Sequence, residues 1–207
     1  MDHDLAKRAV ITIGTGRGFV VEGPREDDLA DRFVITAAHC LPSFPPCASF
    51  STIRERTYPA LLGPLGAAPT VWAECLFVDP IGDIAVLGSP DEEDLHREAH
   101  DYAVLIGQAA VLPIGDAPRS GPAWLLSLKN AWFRCHLTHS GGPLSITDAA
   151  EGIVPGMSGS PIVADDGAAI GVVCCSTGVG DEPPTEGSPN ARLNYNLPVW
   201  LVRASEL

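Results

Sequence analysis

The sequence predicts an all-β protein. Its 207 residues are enough for one large β domain or for two small ones that share an interface. The 21 glycines and 19 prolines are spread along the chain, and short apolar runs lie between them, a pattern typical of strands joined by turns. Apolar residues make up 45% of the chain, so a substantial core can form.

The first strands form a predicted hairpin. Residues 10–13 and 19–22 are apolar runs on either side of a glycine-rich stretch, 14–18. Because neither a helix nor a Lys-Ser or Lys-Thr pair follows, these glycines indicate a hairpin turn and not a phosphate-binding loop. The remaining strands of the first half are expected at 31–36, near 50–53, at 71–78 and at 84–87.

A charged segment, residues 91–101, follows these strands. It predicts a solvated excursion or a short helix. His96 and His100 would share one face of such a helix, but nothing elsewhere completes a ligand set. The sequence therefore predicts no metal site and no cofactor.

A proline- and glycine-rich stretch at 112–122 predicts a boundary between two domains, 1–112 and 113–207. Strands of the second domain are expected at 123–128, 131–138, 144–147, 161–164 and 168–175. An acidic loop at 181–189 and a short helix from Val199 complete it.

Charge and composition limit the partners and the compartment. The net charge of −13, with 13 lysines and arginines, argues against nucleic acid or a membrane as the partner. The acidic N-terminus does not resemble a signal peptide, and no apolar run approaches the roughly 18 residues of a membrane span.

The six cysteines lack C-x-x-C spacing and include the adjacent pair Cys174-Cys175. We therefore expect a cytoplasmic protein with reduced thiols.

Ser158 is the candidate nucleophile. It lies in the stretch Pro155-Gly156-Met157-Ser158-Gly159-Ser160-Pro161, where glycines on both sides allow a tight loop that exposes one hydroxyl. The amides of Gly156 and Ser158 can then point at a developing negative charge, as in an oxyanion hole.

A serine hydroxyl needs a base and a group that orients the base. His39 ends an apolar, strand-like run and is the candidate base, and Asp83 begins another such run and is the candidate acid. Asp79 competes with Asp83, but its place before Pro80 is explained by capping of a turn.

The chain order His, Asp, Ser separates this arrangement from other serine hydrolases. An α/β-hydrolase has G-x-S-x-G and a later histidine, whereas residues 156–160 end in Ser160 and no histidine follows His139. A subtilisin-type order is compatible with acidic residues before His39, but that fold alternates strands and helices, which this sequence does not.

Three segments together resemble the trypsin-like (chymotrypsin-fold) serine peptidases, closest to their bacterial, disulfide-poor branch that includes the HtrA-type proteases. The segments are 36–40, 83–87 and 156–161. The resemblance covers nearly the whole chain. It implies two six-stranded antiparallel β-barrels with a short C-terminal helix, a Ser158-His39-Asp83 triad in the cleft between the barrels, and an oxyanion hole made by the amides of Gly156 and Ser158.

The sequence departs from that family at several positions. Met157 stands where secreted members have the aspartate that pairs with a freed N-terminus, so activation by cleavage is not expected. Cys40 matches a disulfide cysteine, but no cysteine precedes it. Cys174 matches a serine that lies near the catalytic aspartate.

By similarity, the pocket for the residue before the scissile bond would be formed by Gly152, Cys174, Cys175 and Ser176. Because Gly152 replaces an acidic pocket base, a small or medium apolar side chain is expected there. The expected activity is hydrolysis of a protein or peptide, with a regulatory protein partner as a possibility. The alternative is a latent or non-catalytic binding module with a protease fold that a partner switches on.

Overall fold

The chain folds into two closed six-stranded antiparallel β-barrels. The computed structural model describes residues 1–26, 29–46, 52–174 and 184–202. Both the all-β class and the two barrels implied by the family resemblance are confirmed. The boundary at 112/113 stays a prediction.

The first barrel contains strands β1 Val10–Ile13, β2 Gly16–Glu26, β3 Leu29–Thr36, β4 Thr57–Pro64, β5 Val71–Asp79 and β6 Ile84–Gly88. They follow the order β1-β2-β3-β6-β5-β4, and β1 pairs with β4 to close the barrel. The predicted hairpin is present between β1 and β2, but its turn is shorter than expected, because Gly16 and Gly18 lie within β2.

The second barrel contains strands β7 Ser120–Leu126, β8 Trp132–Thr138, β9 Leu144–Thr147, β10 Pro161–Val163, β11 Ala169–Val172 and β12 Gly187–Arg192. They follow the order β10-β11-β12-β9-β8-β7, closed by the pairing of β10 with β7. The loop predicted at 181–189 is wrong at its end, since β12 begins at Gly187 and pairs with β9. Residues 181–183 lie outside the described part of the chain.

The strand expected near 50–53 is wrong within the described residues. Ile53–Arg56 form a short helix, α2, because the Thr52 and Glu55 side chains cap its first turn reciprocally. Residues 50 and 51 lie outside the described part. Strand β4, which the sequence analysis did not identify, follows α2 directly.

The charged segment leads into helix α3, His96–Gln108. Ala99, Tyr102 and Ile106 form its buried face, while His96 and His100 are exposed. Arg32 of β3 donates to the carbonyls of Ile106, Gly107 and Ala109, which satisfies the last carbonyl groups of the helix.

Short helices at both ends of the described chain cross between the barrels. Helix α1, His3–Arg8, packs near the second barrel, where the His3 ring meets Trp124 edge to face and the Trp132 indole donates to the His3 carbonyl. Helices α4, Leu193–Asn196, and α5, Val199–Val202, end the chain, and Trp200 of α5 contacts Phe33 of the first barrel. The expected C-terminal helix is therefore confirmed.

Two hydrophobic clusters form the interior. One fills the second barrel, and the other fills the first barrel and extends across the seam to residues of the second, among them Leu126, Val163 and Val172. Among the described residues, Cys40, Cys75 and Cys135 are free and buried. Cys174 is also buried. In the described parts of the chain, no helix is long and apolar enough to cross a bilayer.

Candidate active site

His39 lies in a short 3-10 turn, Ala38–Cys40, that follows strand β3. Ala37 and Ala38 are fully buried, which fixes the turn to the first barrel. The imidazole is 46% exposed, so a ligand can reach it.

Asp83 is positioned by the turn between β5 and β6. One carboxylate oxygen of Asp79 accepts the N–H groups of Ile81 and Gly82, both at 2.9 Å. Asp83 then adopts φ +54°, in the left-handed region that aspartate tolerates better than most residues. Strand β6 begins at the next residue and is buried throughout. Asp79 thus caps the turn, as its sequence position indicated.

Both carboxylate oxygens of Asp83 bind His39. The backbone N–H of His39 donates to Oδ1 at 2.9 Å, and ring Nδ1 lies 2.7 Å from Oδ2. Because a carboxylate only accepts, Nδ1 carries the proton and Nε2 is left as the basic nitrogen. The hydrogen bond to Asp83 raises the pKa of His39, and partial burial opposes this increase.

Cys174 connects Asp83 to the second barrel. Its thiol donates to the backbone carbonyl of Asp83 at 3.3 Å. Its own N–H is held by the side chain of Asn190, which is fully buried. The side chain of Cys174 therefore contacts the candidate acid, in the place where the family resemblance expected a supporting serine.

The Ser158 loop is anchored on both sides. Met157 is 1% exposed and packs in the core of the second barrel, and the Gly159 N–H donates to the Val173 carbonyl at 2.7 Å. Toward the first barrel, the Ser158 carbonyl accepts the N–H of Arg17 in β2 at 2.8 Å. The loop is thus held between the two barrels.

No protein-family model matches this chain, and no curated protein is significantly similar to it. Any proposal for the function of this chain therefore rests on its fold and on the geometry of the site.

Ser158 lies close to the turn that carries His39. A Cβ placed on Gly16 would be 2.7 Å from the Ser158 carbonyl oxygen and 2.6 Å from the Cys40 Sγ. Since Cys40 directly follows His39, the Ser158 backbone and the turn that carries His39 both lie beside Gly16. Within the described residues, no hydrogen bond joins Ser158 Oγ to the His39 ring, and such contacts are often long before substrate binds.

Gly156 lies in a tight turn between Val154 and Met157. The Met157 N–H donates to the Val154 carbonyl at 3.1 Å, so Pro155 and Gly156 are the two central residues. Gly156 has φ +93° and proline fixes its own φ near −65°, which together define a type II turn. Among the described residues, the amides of Gly156 and Ser158 have no hydrogen-bond acceptor.

The predicted substrate pocket falls largely on residues that the structure does not describe. Cys175 and Ser176 lie outside the described part. Gly152 is partly exposed, and the N–H of the next residue, Ile153, donates to the Pro184 carbonyl at 2.7 Å. The pocket assignment stays a prediction.

Sequence reasoning missed Arg17, which is 5% exposed in the seam beside Ser158. Its guanidinium donates to the carbonyls of Leu126 and Ser127 and to the side-chain oxygen of Asn130. A charged residue between Gly16 and Gly18, just before the apolar run 19–21, was the available signal. Its partners, however, lie more than a hundred residues away along the chain.

Proposed function

We propose that this chain is a serine endopeptidase of the trypsin-like, chymotrypsin-fold type. The observation that carries the proposal is the two-point contact of His39 with Asp83, which orients the imidazole with Nε2 as the base. The two closed barrels are compatible with this class of fold, and the approach of Ser158 to the same seam supports its role as nucleophile.

In the proposed reaction, Ser158 Oγ attacks the peptide carbonyl carbon while His39 Nε2 takes the hydroxyl proton. The imidazolium then gives that proton to the leaving amine, and the C–N bond breaks to leave an acyl-enzyme. Water, deprotonated by the same nitrogen, releases the acid and restores Ser158. Asp83 keeps the proton on Nδ1 and stabilises the imidazolium throughout. General base catalysis of this kind contributes about 10²–10⁴-fold.

The amides of Gly156 and Ser158 are the proposed oxyanion hole. The type II turn at Pro155-Gly156 and the lack of acceptors for both amides among the described residues support this role. In comparable sites, one oxyanion donor contributes roughly 3–4 kcal/mol of transition-state stabilisation.

The proposed substrate is a protein or peptide with a small or apolar residue before the scissile bond. Gly152, where an acidic pocket base would select lysine or arginine, is the basis for this preference. Cys174, Cys175 and Ser176 complete the proposed pocket, and a regulatory partner can restrict the substrates further.

The second candidate is a latent binding module with the same fold. The absence of a Ser158–His39 hydrogen bond within the described residues favours it, because a latent enzyme would hold its nucleophile out of contact with its base.

A fluorophosphonate probe tests the proposal, because it phosphonylates only a serine activated by a base. Wild-type protein, Ser158→Ala and His39→Ala are incubated with the probe, and the modified residue is located by mass spectrometry. We expect wild type to be labelled at Ser158 and both variants to remain unlabelled.

Equal labelling of Ser158→Ala would contradict the assignment of the nucleophile. Lack of labelling of folded wild type would favour the latent module.

A further inference from the structure

Arg17 is a buried cation whose known partners are all neutral. Nη1 donates to the Leu126 carbonyl at 2.7 Å, and Nη2 donates to the Ser127 carbonyl at 3.0 Å and to Asn130 Oδ1 at 3.2 Å. Among the described residues, no carboxylate lies within ion-pair distance of it. Burial lowers the pKa of Arg17, although a guanidinium stays protonated in proteins.

A buried charge without an anion is unfavourable unless hydrogen bonds replace its water. An apolar side chain would fill the same space without that cost. Unlike an apolar side chain, the planar guanidinium can hold several hydrogen-bond acceptors in one fixed arrangement. Those acceptors belong to the end of β7 and to the turn that joins β7 to β8.

This turn is well defined. The Ser127 N–H donates to the Ala131 carbonyl, and the Asn130 N–H donates to the Ser127 carbonyl. Asn130 has φ +60°. Between them, Leu128 is about half exposed. Arg17 therefore holds the base of a turn that presents Leu128 on the surface.

Leu128 covers one side of Gly156. Its Cδ2 lies 3.5 Å from the position that a Cβ on Gly156 would take, and the Thr15 carbonyl oxygen lies 3.8 Å from the same point. Gly156 is thus bordered by the turn that the Arg17 side chain holds and by the β1–β2 turn just before Arg17.

The Arg17 backbone holds the next part of the same loop. Its N–H donates to the Ser158 carbonyl, and its carbonyl oxygen accepts the Thr36 hydroxyl at 2.6 Å. That carbonyl also occupies the space where a Cβ on Gly159 would lie. One residue of the first barrel therefore contacts both the nucleophile segment and the turn beside Gly156.

We propose that Arg17 is a positioning residue for the Ser158 loop, which carries the proposed oxyanion hole. The Arg17 side chain fixes Gly156 through the 127–130 turn, and the Arg17 backbone N–H fixes Ser158. The inference rests on the proposed peptidase function for its effect on rate. Its effect on the loop is independent of that function.

The test compares Arg17→Met, Arg17→Lys and Arg32→Met with wild type. Methionine fills the space without the buried charge, and Arg32 is a matched control because it also binds three backbone carbonyls, at the end of α3. Thermal melting confirms that each variant is folded. The first measurement is inactivation by the fluorophosphonate probe, resolved into the limiting rate and the half-saturating concentration.

We expect Arg17→Met to lower the limiting rate about 10–100-fold, below the loss for removal of a whole oxyanion donor, with little change in half-saturating concentration. Arg17→Lys should fall between it and wild type, because lysine keeps the charge without the planar fork. Arg32→Met should retain the wild-type rate.

The second measurement is amide hydrogen exchange in peptides covering 154–160, which needs no activity. We expect faster exchange in Arg17→Met and unchanged exchange in Arg32→Met. Unchanged exchange in a folded Arg17→Met protein would overturn the inference, whatever the rate. If wild type is not labelled but exchange increases in Arg17→Met, the peptidase proposal fails and the positioning of the loop stands.

Discussion

At the scale of single residues, the proposed chemistry depends most on the contact between His39 and Asp83. Asp83 uses one oxygen for the backbone and the other for the ring, so the carboxylate fixes the position of the imidazole as well as its tautomer. Its left-handed backbone is accommodated because Asp79 caps the turn before it and Cys174 binds its carbonyl.

Asp83→Asn tests this arrangement. The asparagine amide donates where the carboxylate accepted, which favours the tautomer with the proton on Nε2 and removes the base. We expect probe labelling at pH 7 to fall by about 10³–10⁴-fold. Asp79→Asn removes the same charge but can still cap its turn, and it should be labelled nearly as fast as wild type. Equal losses in the two variants would contradict the assignment of Asp83.

The pH dependence follows from the raised pKa of His39. Since only neutral His39 can act as base, wild-type labelling should increase with pH to a half-maximum above the ordinary value of about 6.5. The stability of the folded state should change with pH in the opposite direction. The charged pair stabilises the folded state fully below about pH 6.5, and this contribution is lost as pH increases through the folded pKa.

Urea unfolding of wild type and Asp83→Asn at pH 5.5 and pH 9 measures that contribution. We expect the difference in unfolding free energy to be larger at pH 5.5. A difference that grows toward pH 9 would mean that the folded state does not favour the protonated imidazole.

At the scale of elements, the Ser158 loop packs closely against β2 because two glycines at the contact have no side chain. Gly16 and Gly159 lie where a Cβ would meet backbone or side-chain atoms of the facing barrel. The loop can therefore approach the first barrel closely enough for the Arg17–Ser158 hydrogen bond.

Gly159→Ala should be severely destabilising. Gly159 has φ +81°, and a Cβ would overlap the Arg17 carbonyl and meet Thr36 Oγ1. Gly141, with φ +84° and open space around its Cβ position, is a control for the backbone strain alone. Denaturant unfolding should show a loss of about 1 kcal/mol for Gly141→Ala and about 3 kcal/mol or more for Gly159→Ala. Similar losses would contradict the close packing.

Sequence patterns predicted some elements better than others for physical reasons. Strands β1, β6 and β9 are apolar runs bounded by turn residues, and their positions were anticipated closely. Helix α3 was only partly anticipated, because the charges of 91–101 obscured a buried face spaced by three and four residues. Strand β4 contains a glycine and two prolines, which read as turn signals, and tertiary pairing with β1 and β5 overrides them.

The sequence predicted part of the candidate site. Its motifs pointed to His39 and Asp83, which the structure brings into contact, and to Ser158, whose backbone lies beside the same turn. Their catalytic roles stay predictions. The role of Arg17 was not predictable, because a cation bound to carbonyls needs partners that no local pattern identifies. The pocket residues stay predictions, since two of them lie outside the described chain.

At the scale of the whole molecule, the seam between the barrels belongs to the same hydrophobic cluster as the interior of the first barrel. Leu125 and Leu126 are neighbours on β7 and both are fully buried. Leu125 belongs to the cluster inside the second barrel, while Leu126 belongs to the cluster of the first barrel and the seam. The helices at both ends add contacts between the halves. This arrangement indicates that the barrels unfold together.

The matched pair Leu125→Ala and Leu126→Ala tests that cooperativity. Each leaves a cavity, and we expect each to lower the unfolding free energy by about 2–5 kcal/mol. If the barrels form one cooperative unit, the slowest amide exchange in β3 and β6 of the first barrel should accelerate as much as that in β7 and β8, even for Leu125→Ala. Exchange in β3 and β6 that stays at the wild-type rate in Leu125→Ala would show that the first barrel is stable alone. His39 and Asp83 would then stay paired while the Ser158 half unfolds, so the nucleophile would depend on the second barrel for its position.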